Sequence, residues 1–193
     1  MEVRISNNKD GTIAEVNKDS QLSVISENID LGLYTSFFSE DTYHVFCSVS
    51  AASGTTTVMH FQNEDTTKIC VIAELEMQLV GTTTTDSAAT YFEIGFDRTI
   101  SSGGTTVTAT NQNRASGNTA NVSVTNNGPT MTGTFISDNK IFPTSSSSVL
   151  RKTGRDGTIL GLNDTMEIRL VTDNTSGLAT VHTTFIMLSP DSI

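Results

Sequence analysis

Tryptophan is absent from this chain, and tyrosine and proline occur three times each. Without tryptophan there is little of the aromatic platform that flanks a sugar-cleaving cleft. Cysteine occurs twice, as Cys47 and Cys70. Both lie inside apolar strand patterns and read as reduced core thiols, and neither sits in a Cys-x-x-Cys spacing of the kind that binds zinc. Positive charge is also scarce, with 11 Lys and Arg against 21 Asp and Glu, a net charge of −10 and a pI near 4.5. Long-range repulsion from phosphates therefore argues against a nucleic-acid partner. No run approaches the roughly 18 apolar residues of a membrane span. The opening Met1-Glu2-Val3-Arg4-Ile5 has no basic start followed by an apolar core, so neither membrane nor export is expected. The sequons at Asn121, Asn163 and Asn174 carry no weight without export.

What the chain does have is threonine, serine, asparagine and glycine in abundance, with charged residues at only 17%. That composition favours short strands joined by polar turns over helices. Its most strongly patterned stretch is Ile69 to Val80, in which Ile69, Val71, Ala73, Leu75, Met77 and Leu79 are apolar and Glu74, Glu76 and Gln78 are polar. A period of two predicts one strand of about 40 Å at roughly 3.3 Å per residue, with the odd positions facing a core.

Further strands follow the same rule. Tyr43, Val45, Cys47 and Val49 share a face, as do Phe92, Ile94 and Phe96, then Met166, Ile168 and Leu170, and finally Val181, Phe185 and Met187. Thr55 to Phe61 forms a strand that turns through Gln62–Thr66 into Ile69. Between residues 98 and 130, weak strands are predicted at Thr105–Thr110 and Thr119–Thr125, with a turn at Asn126-Asn127-Gly128-Pro129. The alternation of Ala120, Val122 and Val124 sets this region apart from a solvated linker. Loops are expected at Thr82–Thr85, Ser145–Ser148 and Thr153–Gly157.

Eight to ten strands in 193 residues predict an all-β fold, an antiparallel β-sandwich. A jelly roll is the first choice and an immunoglobulin-like sandwich the second, because the Cys-Trp-Cys pattern is missing. Residues 1–25 read as an extended N-terminal arm or hairpin, and 26–193 as the sandwich domain.

A search for chemistry yields no catalytic, cofactor-binding or metal site. His44, His60 and His182 fall on three strands without ligand spacing and read as surface or interface residues. Glu74 and Glu76, about 7 Å apart on one strand face, read as a solvated or subunit-facing surface. Nucleophile-elbow, P-loop, dinucleotide-binding and calcium-loop motifs are absent, so no enzyme and no cofactor are expected.

Three stretches carry a family resemblance. Ser102 to Ala120 contains a Gly-Gly-Thr turn, a Val-Thr strand and the Asn111-Gln112-Asn113-Arg114-Ala115-Ser116 loop. Asp10 to Val16 and Gly161 to Ile168 complete the set. Together they resemble small structural proteins of tailed bacteriophages, the capsid decoration or cement proteins. The resemblance implies a jelly-roll or sandwich domain, often trimeric, made in the host cytoplasm and placed on the outer surface of the virion head. There it would bind the major capsid protein and tie neighbouring subunits together. The arm, with Ile5, Ile13, Val16, Leu22 and Val24, is the expected capsid contact. The alternative is a host-surface or carbohydrate-binding module of a head fibre or tail, with contacts on loops 98–118 and 137–157.

Overall fold

The computed structural model describes residues 41–81, 90–143 and 149–190, of which 149–157 as backbone, together with the backbone of three short strands before residue 25. Those three, β1 (Arg4–Ser6), β2 (Ile13–Val16) and β3 (Leu22–Val24), form an antiparallel sheet of their own. Its register sets Ile5 opposite Ala14, Ala14 opposite Val24, Val16 opposite Leu22 and Ile13 opposite Ser6. By strand parity the positions of Ile5, Val16, Leu22 and Val24 fall on one side of this sheet and Ile13 on the other. The expected boundary at residue 25 lies outside the described residues, as do the loops expected at 82–85 and 145–148.

The remaining strands make an all-β sandwich. The first sheet contains β4 (Thr42–Ser50), β6 (Ile69–Val80), β10 (Thr110–Asn111), β14 (Val149–Leu160) and β16 (Leu178–Leu188), in the order β10-β4-β16-β6-β14. The second contains β5 (Gly54–Asn63), β7 (Tyr91–Phe96), β9 (Thr105–Thr106), β11 (Val122–Asn126), β13 (Ile136–Ile141) and β15 (Thr165–Thr172), in the order β13-β7-β15-β5-β11-β9. Short strands β8 (Thr99–Ser102) and β12 (Thr130–Thr132) pair as a separate ribbon.

Eight of these strands have six or more residues. Counted along the chain, the first sheet runs first, eighth, third, sixth, and the second runs fifth, fourth, seventh, second. That interleaving is two nested Greek keys, the jelly-roll topology. The immunoglobulin-like alternative, which has a different strand order, is set aside.

The alternation of Tyr43, Val45, Cys47 and Val49 puts all four in the core, where they meet Val181, Phe185 and Met187 of β16 and Phe61, Met166, Ile168 and Leu170 of the other sheet. Phe185 bridges the layers, stacked on Tyr43 at 5.5 Å and edge-on to Phe61. Burial pushes the Cys47 thiol up to about 12, and both cysteines are buried and unpaired.

The long strand β6 differs from its sequence pattern. Its core residues are Cys70 and Ile72, then Leu75, Met77 and Leu79, while Ile69, Val71 and Ala73 are only half-buried. The face changes because Glu74 pairs with Thr184 and Ile72 with Phe185, which leaves Ala73 as the extra residue of a β-bulge. The segment expected as a loop at Thr153–Gly157 lies opposite this point. There β14 continues as a strand, its register jumping from Thr153 to Thr158.

Asn63 ends β5 where a polar turn was expected. It is buried, and its Nδ2 donates to the carbonyls of Lys68, Leu160 and Gly161, which pins the turn into β6.

Residues 97–135 join neighbouring strands β7 and β13 and form a large insertion. Within it β10 extends the first sheet beyond β4, while β11 and β9 extend the second beyond β5. Both sheets are thus continued on the same side of the sandwich, which covers part of each edge, Tyr43 and His44 of β4 and Met59 to Asn63 of β5, against further pairing. Expected strands in this region shorten to β9, β10 and β11. The turn is present, with Asn127 and Gly128 both in the left-handed region at φ of 63° and 62°.

Candidate functional site: one roofed and one open sheet face

The outward positions of the second sheet carry Thr57 and His60 of β5, Glu93 of β7, and Glu167 and Arg169 of β15. Alternation marks such positions as solvent-facing, yet Thr57, His60, Glu93 and Glu167 are buried. The insertion roofs them. Phe135 lies so close over Gly95 that a β-carbon there would meet its ring, and the Arg169 guanidinium stacks on that ring with Cζ 3.6 Å from the centroid.

Buried charge demands partners, and these are present. Glu167, 1% exposed, accepts from Thr57 Oγ1 at 2.6 Å and pairs with Arg98 Nη1 at 3.3 Å. Glu93 accepts from Arg169 Nη2 at 2.7 Å and Nε at 3.0 Å, and from Ser137 Oγ at 2.6 Å, with Lys140 Nζ at 3.8 Å. Burial alone would raise the Glu93 carboxyl, but the Ser137 and Arg169 hydrogen bonds and the Arg169 and Lys140 charges hold it below the ordinary range. His60 Nε2 donates to the Arg98 carbonyl at 2.9 Å, and burial holds this imidazole below its usual value.

Between roof and sheet lies a cleft of 470 Å³. Thr55, Thr56 and Thr57 form one wall, Pro129 and Met131 another, and Arg98 and Arg169 line it with part of their surface, 20% and 22% of each side chain remaining exposed. Arg98 Nε has no hydrogen-bond partner.

The outer face of the first sheet is different. Phe46 is 55% exposed, and Leu178, Val80 and Ile159 are also exposed large apolar residues. Leu178 sits directly opposite Val80, and Ile159 opposite Val71. Between these apolar positions run His44, His182, Glu74, Glu76 and Gln78. His182 Nδ1 is 3.7 Å from Glu76 Oε2, and the His44 and His182 rings are 5.9 Å apart. Partial burial and the neighbouring His182 and Arg114 charges hold His44 below its usual range.

Of the histidines read from the sequence, His44 and His182 are therefore brought together on the open face, while His60 lies under the roof. Glu74 and Glu76 share the open face, in keeping with the surface reading. No group of three metal-ligating side chains occurs among the described residues, nor does a helix long and apolar enough to cross a membrane. Sequence reading missed the roofed network and its cleft. Among the described residues of the loops expected to carry glycan contacts, only Arg98 lines that cleft. The arm positions Ile5, Ile13, Val16, Leu22 and Val24 belong to the separate small sheet.

No family model matches the chain, and no curated protein matches it. Among solved structures, one described as the structure of infectious bursal disease virus Gx strain aligns with 78% of this chain and 39% of its own length, at 15% identity and a TM-score of 0.15. A likeness of that degree carries no argument, so the chain's assignment rests on its own topology and faces.

Proposed function

We propose that this chain is a structural virion protein, a decoration or cement protein that binds the outer surface of a tailed-phage head and ties major capsid protein subunits together. The observation that carries this reading is the contrast between the two outer sheet faces. One is roofed by the chain's own insertion, whereas the other leaves Phe46, Val80, Leu178 and Ile159 exposed around a polar centre. Apolar anchors within polar surroundings are the usual composition of a protein-docking face. The Gly-Gly-Thr and Asn-Gln-Asn-Arg stretches that resemble phage structural proteins support the same role.

In this reading the protein acts as a homotrimer, the first 25 residues add a second contact through Ile5, Ile13, Val16, Leu22 and Val24, and no enzyme activity or cofactor is involved. Co-sedimentation of the purified protein with emptied, expanded heads is the test, alongside its detection in purified virions. Saturable binding and a trimeric mass by light scattering support the proposal. Absence from virions, or failure to bind such heads, contradicts it.

A further inference from the structure

We infer, resting on the docking role proposed above, that the outer edge of β4 from Phe46 to Ser50 accepts a strand, and that this strand is an extended segment of the major capsid protein. The positions just outside β4 show which way its peptides point. Ala51 N donates to the Gly177 carbonyl at 2.9 Å, and Met187 N donates to the Asp41 carbonyl at 3.1 Å. The odd residues of β4 therefore turn their peptide groups toward β16, within the ladder that runs from Thr42 opposite Ile186 to Ser50 opposite Leu178. The even residues turn theirs the other way. Gln112 N donates to the Thr42 carbonyl at 2.9 Å and Thr110 pairs with His44, which uses the first two of these positions. Phe46, Ser48 and Ser50 remain, and among the described residues nothing pairs with their outward N–H and C=O groups.

This stretch also lacks the devices that close the other sheet edges. Strand β13 carries Asp138, Lys140 and a bulge between Ser137 and Asn139. Strand β14 carries Arg151, Lys152, Arg155 and Asp156 along with its register jump. Charges and bulges of this kind discourage pairing. Val45-Phe46-Cys47-Ser48-Val49-Ser50 holds no charge, no proline, no glycine and no bulge. Its Phe46 and Ser50 are exposed.

Position and charge select the occupant. Phe46 belongs both to this edge and to the proposed docking face, so a strand added beside β4 widens that face with material from the same partner. A second copy would bring a further −10 to a stretch with no cation to receive it. The segment is therefore neutral or basic, extended over about five residues and roughly 16 Å, with an apolar side chain beside Phe46. Main-chain hydrogen bonds to Phe46, Ser48 and Ser50 supply its affinity, as in other strand additions to a sheet edge.

The test uses the full chain and emptied, expanded heads, with amide hydrogen exchange read at single residues by mass spectrometry. In the free protein the Phe46, Ser48 and Ser50 amides exchange fast, while those of Cys47 and Val49, bonded to β16, exchange slowly. On heads the first three slow by about tenfold or more. Ser48→Pro removes an outward N–H that the fold does not use, the position at which an edge strand tolerates proline. Its denaturation midpoint holds and its binding to heads weakens about tenfold or more; if this variant loses its fold, the exchange pattern of the unmodified protein decides. Failure of the unmodified protein to bind heads removes the docking role and this inference with it. Saturable binding with unchanged exchange at the three amides, or full binding by Ser48→Pro, overturns strand addition alone and leaves docking through the open face standing. Slow exchange at these amides in the free protein means an edge already filled, by the arm or by a second copy, and also overturns it.

Discussion

Phe61 and Phe185 meet edge to face between the two sheets, with ring centroids 5.0 Å apart and planes at 80°. Phe61 comes from β5 and Phe185 from β16, so this contact joins the two layers of the jelly roll. Both rings are fully buried. Phe185→Ala leaves a cavity beside Tyr43 and Phe61 and lowers stability by about 3–5 kcal/mol. Urea denaturation measures the loss, and a decrease below about 1 kcal/mol would show that the layers are not joined there.

Arg98 and Glu167 form the second link, between roof and sheet. Arg98→Met leaves Glu167 buried without its cation and costs about 3–5 kcal/mol. Adding Glu167→Gln removes the stranded charge, so the double variant is more stable than Arg98→Met alone. A double-mutant cycle measured by denaturation checks this, and strictly additive losses would contradict the pairing.

Gly95 fixes how closely the roof approaches. A β-carbon at this position would meet the Phe135 ring and, at 2.6 Å, the Ile136 carbonyl. Backbone has little room to give, so Gly95→Ala destabilises by about 1–3 kcal/mol and accelerates amide exchange in β13. An unchanged exchange pattern would place Phe135 elsewhere.

His60 gives the fold an acid limb near neutrality. Its folded pKa lies below the ordinary value of 6.5, chiefly through burial, so the unfolded chain binds the proton more readily. Stability is full above 6.5 and is lost as pH falls from there toward the folded value. Glu93, also held below its usual range, adds a further loss as pH falls through the carboxylate region. His60→Asn is less stable overall but shows a shallower stability slope between neutrality and pH 5.5. An equally steep slope would move the effect to another group.

The core was legible in the sequence where one face alone is buried. Tyr43, Val45, Cys47 and Val49 alternate without interruption, and the structure buries all four. In β6 the face changes at Ala73, but alanine fits either environment and Ile72 follows the apolar Val71, so a bulge leaves no mark in the pattern. Strand β13 was missed because Ile136-Ser-Asp-Asn-Lys-Ile141 is a mostly exposed edge strand with polar residues on both sides. The roofed network was hidden for another reason. Glu167 and Arg169 do point away from the core, as alternation predicts, and only the insertion about 70 residues earlier turns that surface inward. Arg98 precedes the polar strands of that insertion in the sequence, with no local sign that it pairs with Glu167.

The most direct test of the docking face is Phe46→Asp in the head co-sedimentation assay. Phe46 is outward-facing and exposed, so the variant keeps its fold and its denaturation midpoint. The account predicts saturable binding by the unmodified protein and loss of at least about tenfold in affinity for Phe46→Asp. Equal binding by the two proteins would contradict it.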